Sequence, residues 1–308
     1  MAALVKACDV SSIQNTGVEC SAAMGPAAMF LIMPPGLKWT NSDLSDFPAY
    51  VEQKMHASAE TRIYPLFGNS APIRSIEAND SDDTIQTFDD GVEKFIRSGY
   101  ANRIYRTEKG GLCLAASMRS LLNIGYAFVE IDKEGNICFK KNSDGTYSGF
   151  PSTGMGGVTP KAATFTESYM NGFRLSYDVS TYINSGLIMK GAESILDFMG
   201  LIDTNVTAFT ASTTTRLKIG VKTQCAGTDL VALLGVTLAV AGNFVVTNAS
   251  TGAAVSITGA SIVSGNIELA GTFTTATTYR VALAPSATLY TNGVEGYEGV
   301  KYKDILIP

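Results

Sequence analysis

The chain has 308 residues, of which 45% are apolar and 17% charged, with a net charge of −5 and a pI near 5.0. That balance excludes a disordered polymer, allows two ordinary domains each to bury a core, and offers no overall positive field to a nucleic-acid backbone. Five cysteines in odd number without a CxxC pair, and a single histidine, indicate neither a disulfide framework nor a zinc site and leave little material for a histidine-based triad.

Residues 1–23 mix small and polar types without a period and read as a terminal arm for assembly, or as a frayed end. The apolar patch 22–33 is broken by Gly25-Pro26 and closed by Pro34-Pro35, too short to span a bilayer and a poor signal peptide, so a reducing cytoplasm is the expected place of synthesis. Within it, 27–33 reads as a buried strand, and Asp46-Phe47-Pro48 starts a helix expected to run to about Glu60. Short strands follow at 63–67 and 73–76. The acidic run 78–83 lacks the glycine and closing glutamate of a calcium loop and reads as a solvated turn. Thr84 to Phe88 alternates weakly, and Asp89-Asp90-Gly91 turns it into a second strand, giving a hairpin.

Leu114, Met118, Leu121 and Leu122 share a helical face over 112–122. Residues 126–132 and 136–140 flank Lys133-Glu134-Gly135 as a second hairpin, whose charged turn and closing Lys140-Lys141 predict a tip projecting into solvent. The Gly/Ser/Thr-rich stretch 142–164 reads as a long loop, 173–177 as a strand, and 192–198 as a short helix. Threonine rises and charge thins at about Asp203, where a domain boundary is expected.

Beyond it, Leu217, Ile219 and Val221 alternate with Lys218 and Lys222, the pattern of a half-buried strand. Residues 244–247 and 254–257 predict a hairpin around 248–252, and 266–270 and 278–283 repeat the strand pattern, so 217–285 reads as a self-contained β-sandwich. The apolar run 230–240 fits a buried strand pair or a short helix. The last segment, 290–308, reads as a strand returning beyond the sandwich. The expected organisation is an assembly domain over 1–203, a sandwich over 204–289 and a returning strand or arm over 290–308.

No catalytic constellation emerges. His56 falls on a helix as a surface or capping residue, no GxSxG surrounds a serine, and neither Gly110-Gly111 nor the glycines of 154–157 are followed by the Lys-Ser/Thr of a phosphate loop. The expectation is a non-enzymatic protein without metal or cofactor.

The strings TIQTFDDGVEKFIRSG, GGLCLAASMRSL, YAFVEIDKEGNICFK, FRLSYD and LDFMGLID, in that order, resemble a turn-and-strand pair, a core helix, a protruding hairpin and closing strands. This order resembles virion proteins of tailed bacteriophages built on the tail-tube fold with a C-terminal immunoglobulin-like domain. The resemblance implies a mainly β (α+β) chain, with a tail-tube-like sandwich or barrel carrying one or two packed helices and then an immunoglobulin-like β-sandwich. It implies a virion subunit that stacks in rings around a DNA channel, with itself and other virion proteins as partners, passive contact with DNA and no membrane. Under it, the 126–140 hairpin contacts a neighbouring subunit through Glu134, Gly135, Lys140 and Lys141. A capsid, head-completion or decoration protein, or a surface module binding glycan or protein, are the alternatives.

Overall fold

The computed structural model describes residues 4–5, 24–122, 124–191, 193–209 and 212–308. The chain is mainly β and divides into two compact units, one made of residues 1–55 and 59–200, the other of 56–58 and 201–308. None of the described sheets closes into a barrel. The expected arm 1–23 lies outside the described residues except for Leu4–Val5, a short strand paired with 188–189.

The longer strands of the first unit are β1 (Ala27–Met33), β2 (Tyr64–Phe67), β3 (Ser75–Ala78), β4 (Thr84–Thr87), β5 (Glu93–Arg97), β6 (Tyr100–Thr107), β7 (Ala127–Asp132), β8 (Ile137–Lys141), β9 (Gly154–Lys161), β10 (Met170–Asp178) and β11 (Gly186–Met189), with two-residue strands at Lys38–Trp39, Tyr147–Ser148 and Phe150–Pro151. The larger sheet runs Leu4–Val5, β11, β8, β7, β1, β2, and the smaller runs β9, β10, β6, β3. The helices that accompany them include α1 (Phe47–Met55), α2 (Gly111–Ser120) and α3 (Val179–Ser185).

The larger sheet is covered on both faces, which explains why β1 is an unbroken apolar run. Met29, Leu31 and Met33 enter a core with Trp39, Phe47, Val51 and Ile195, while Phe30 and Ile32 enter another with Tyr105, Met118, Phe173 and Leu175. Phe47, Val51 and Met55 form the buried face of α1, one turn apart, and the helix stops at Met55 rather than near Glu60.

The same two-sided cover corrects the reading of the 126–140 hairpin. All six residues of β7 are buried, as are Ile137, Cys138 and Phe139 of β8. Val129 and Ile131 face one core, Phe128 and Cys138 the other. The hairpin lies inside its own sheet, flanked by β1 and β11, and only its turn and the far end of β8 at Lys140-Lys141 reach solvent.

The expected loop over 142–164 contains β9, a strand spelled GMGGVTPK. Its glycines answer to packing. A Cβ at Gly157 would lie 2.9 Å from the backbone nitrogen of Arg119, and one at Gly156 would meet Leu122, so the end of α2 sits directly on the strand. Helix α3 had no sequence expectation. Asp178 caps it, accepting from the amides of Ser180 and Thr181. The expected helix over 192–198 is a 3₁₀ turn, Glu193–Asp197, and Ala192 lies outside the described residues.

The second unit contains β12 (Ile202–Ala208), β13 (Arg216–Thr223), β14 (Phe244–Asn248), β15 (Ile257–Val263), β16 (Asn266–Gly271), β17 (Thr278–Leu283), β18 (Tyr297–Lys301) and β19 (Lys303–Leu306). One sheet runs β15, β16, β13, β12, β18 and the other β14, β17, β19. Leu217, Ile219, Val221, Ile267 and Leu269 from the first share one apolar core with Val246, Tyr279, Val281, Leu283 and Ile305 from the second. The ambiguous run 230–240 is a short helix, Leu230–Leu234, capped by Asp229, followed by a 3₁₀ turn.

Three readings change here. Residues 244–257 do not form one hairpin: Thr247 and Ala254 make a single bridge, after which the chain crosses to the other sheet as β15. The segment 290–308 is not a separate arm, because β18 pairs in parallel with β12 and β19 pairs with β17, with Ile305 and Ile307 in the core. Asp203, taken as a boundary, sits inside β12, and the division falls after Gly200. His56 also departs from a surface position, being 4% exposed in the second unit with its ring stacked 4.2 Å from Tyr290.

The cysteines depart from their reading as well. Cys113 and Cys225 each take part in a disulfide, Cys138 is a buried free thiol, and Cys8 and Cys20 lie outside the described residues.

Candidate functional site

Among the described residues the hairpin β4–β5 pairs with no other strand. Its turn follows from its sequence: the Phe88 amide donates to the Val92 carbonyl at 2.8 Å, the Gly91 amide to the Phe88 carbonyl at 2.9 Å, and the Val92 amide to Asp90 Oδ1 at 3.0 Å. Gly91 has φ +79°, a conformation that glycine adopts without the Cβ penalty.

The acidic run 78–83 ties down the base of this hairpin. Asp83 Oδ1 accepts from the Gly99 amide at 2.7 Å, and Asp80 accepts from the Asn102 amide at 2.9 Å and from the Arg103 guanidinium at 3.1 Å. A Cβ at Gly99 would collide with the Ser81 carbonyl, so the two strands leave the sheet in close contact. The run is thus a structural clasp rather than a free solvated turn.

What the clasp holds out bears apolar side chains on both faces, beside the polar pairs Gln86–Lys94 and Thr87–Glu93. Ile85 and Phe95 are direct cross-strand partners on one face. Phe88 and Val92 flank the turn on the other face, and Ile96 falls at an irregularity in the register. All five are between 43% and 56% exposed. A two-stranded hairpin is at best marginally stable alone in water, and an exposed one normally keeps a polar face outward. Full burial of a side chain of this kind is worth about 1.5–3 kcal/mol, so covering the remaining half of five such groups would contribute on the order of 5 kcal/mol. These five side chains make the hairpin a candidate surface for a partner.

The four residues expected at an interface are split by the fold. Glu134 is exposed in the 133–136 turn and Gly135 is buried there with φ +78°. Lys140 and Lys141 lie at the other end of β8, half-buried and exposed respectively. The turn is organised by Asp132, which is fully buried and accepts from the amides of Gly25, Glu134 and Asn136 and from Asn136 Nδ2, all at 2.8–2.9 Å. Lys140 instead lines a hollow of about 200 Å³ together with Pro35, Leu37, Lys38 and Pro151.

Two other electrostatic features are internal. Burial pushes up the carboxyl of Glu130, to which Tyr182 donates at 3.0 Å, and burial also pushes the neighbouring Cys138 thiol up to about 12. These groups sit between the two sheets of the first unit, with Tyr182 packed on Phe150 and Tyr177. Glu77 is held down at about 2 by bonds from Arg106 and Lys161, which link β3 to β6 and to the end of β9. Among the described residues no group of three or more His, Cys, Asp and Glu is placed to hold a metal ion, and no helix is long and apolar enough to cross a membrane.

Sequence reading assigned the projection to the wrong hairpin. The signal for the right one was present in TIQTFDDGVEKFI, where apolar residues fall on both alternations and neither face is wholly polar. No family model and no curated protein matches this chain.

Proposed function

We propose that the chain is a self-assembling structural subunit of a bacteriophage virion, of the tail-tube or tail-ring type, forming rings or a tube through which DNA passes. The single observation that carries self-assembly is the clasped β4–β5 hairpin, whose two faces both present half-exposed apolar side chains. Exposed apolar groups clustered in this way mark a surface that another molecule covers. The virion assignment rests on the order of elements that resembles the tail-tube proteins. In this reading the two sheets of the first unit are the tube-forming sandwich, and the second unit, with two sheets on one core, is the immunoglobulin-like β-sandwich. The non-enzymatic reading belongs with it, since the titrating groups described above tie strands together inside the first unit.

The test is sedimentation velocity and negative-stain electron microscopy of the purified full chain over a wide concentration range. Rings or tubes of uniform diameter are expected. A chain that stays monomeric at the highest attainable concentration overturns the proposal.

A further inference from the structure

We propose that Glu130 is a proton-operated control on the clasp at the base of the β4–β5 hairpin: with its proton on, Arg103 is held by Asp80, and with its proton off, the two carboxylates compete for that guanidinium. The inference concerns the first unit alone and stands apart from the self-assembly reading.

The geometry runs inward from the clasp. Arg103 donates to Asp80 Oδ2 from Nε at 3.2 Å and from Nη2 at 3.1 Å, while Asp80 Oδ1 accepts from the Asn102 amide. These bonds sit at the rim, where the Arg103 and Asp80 side chains are 36% and 35% exposed. Arg103 nevertheless belongs to the inner face of β6. It pairs in register with Leu175 of β10, a residue of the core between the sheets, and shares its face with Tyr105, whose hydroxyl its guanidinium also approaches. One guanidinium therefore spans rim and interior.

Glu130 faces the same interior. Its register partners are Phe30 on β1 and Cys138 on β8, both members of that core. It is 7% exposed, and the bond from Tyr182 of α3 is the one its carboxylate accepts among the described residues. The titratable and charged groups around it are Cys138 from β8, Tyr182 from α3, Tyr177 from β10, Tyr105 and Arg103 from β6, and Asp132 along its own strand. The neighbouring strand β1 carries no titratable side chain. Arg103 is the only cation of the set.

A carboxylate deprived of water needs a cation or several donors. Burial accordingly raises the carboxyl of Glu130, and with its proton on the group makes no demand on Arg103. Once ionised, Glu130 has one donor and one cation within reach, and that cation is already bound to Asp80. Attraction towards Glu130 weakens the Arg103–Asp80 bonds and loosens the acidic run that anchors the hairpin. The coupling is reciprocal, so the hold of Asp80 on Arg103 must in turn make Glu130 harder to ionise. The clasp is tight at low pH and slackens as pH rises through the Glu130 titration.

The test is a carbon-13 NMR titration of the Glu130 carboxyl in the full chain, assigned with Glu130→Gln, together with amide hydrogen exchange at Asn102 and Gly99. The wild-type carboxyl is expected to titrate above the ordinary glutamate range. Asp80→Asn frees Arg103 for Glu130 and should raise its ionisation constant about threefold or more, whereas Arg103→Met should lower it by about as much. In the Arg103→Met background, Asp80→Asn should change the constant by less than about 1.5-fold, because Asp80 acts through Arg103. Exchange at Asn102 and Gly99, corrected for the intrinsic effect of pH, should accelerate about threefold or more across the titration in the wild type and stay level in Glu130→Gln. Melting curves check the fold of each variant, and opposite shifts from Asp80→Asn and Arg103→Met cannot both come from loosening.

A Glu130 ionisation constant that neither substitution moves overturns the proposal. So does a shift from Asp80→Asn that persists in full without Arg103, or wild-type clasp amides that are indifferent to pH across the titration. A chain that stays monomeric overturns the self-assembly reading alone.

Discussion

Replacing Ile85 and Phe95 together by serine tests whether the exposed hairpin is an assembly element or an ordinary surface feature. The two side chains are 54% and 55% exposed, so each has about half of its area still to be covered. With full burial worth about 1.5–3 kcal/mol per side chain, covering the remainder contributes roughly 1–1.5 kcal/mol apiece. Losing both should weaken each intersubunit contact by about 2–3 kcal/mol, or roughly 30- to 150-fold in association constant. Folding should suffer far less. The cross-strand pair itself is worth about 0.2–1 kcal/mol, which for a unit of this size moves Tm by roughly 2–4 °C at most. The assay pairs calorimetry with sedimentation velocity across concentration. A fall in Tm well beyond that range would show that the hairpin is part of the unit's own core. Unchanged assembly would show that its apolar faces are not buried between subunits.

Three further outcomes follow from the interior. Asp132→Ala removes a fully buried acceptor for four donors around the turn and should cost about 3–5 kcal/mol by denaturant unfolding, whereas Asp132→Asn should cost less. Glu130→Gln should flatten the pH dependence of Tm. The native carboxyl is raised by burial above its unfolded value, so its contribution is fully present at low pH and is lost as pH rises from about 4.5, the unfolded pKa, towards the folded one. The variant should gain on the wild type at neutral pH, and parallel Tm curves from pH 4 to 8 would refute the assignment. Gly157→Ala forces a methyl to within 2.9 Å of the Arg119 nitrogen and should cost about 1–3 kcal/mol. Gly154→Ala, whose new Cβ meets only Ser176 at 4.0 Å, should stay within about 0.5 kcal/mol.

The sequence by itself determined the elements whose signal is local. The alternation of Leu217, Ile219 and Val221 with lysines, the helical face around Met118 and the Asp89-Asp90-Gly91 turn each depend on a period or a backbone preference within a few residues, and each stands in the structure. Burial on two faces is different, because it is a property of what packs above and below a sheet. Only the tertiary structure put α1 on one side of β7–β8 and the smaller sheet on the other, turning a hairpin with a charged turn into the centre of a core. It likewise made a strand of GMGGVTPK, since the need for glycine there comes from α2 lying against it. The pairing of β18 and β19 with β12 and β17 joins residues about a hundred positions apart in one case and some two dozen in the other. No local pattern in 290–308 encodes those partners. The candidate interface followed the same rule: its turn was legible in the residues, but the absence of any covering layer over Ile85, Phe88, Val92, Phe95 and Ile96 is decided by where every other described element goes.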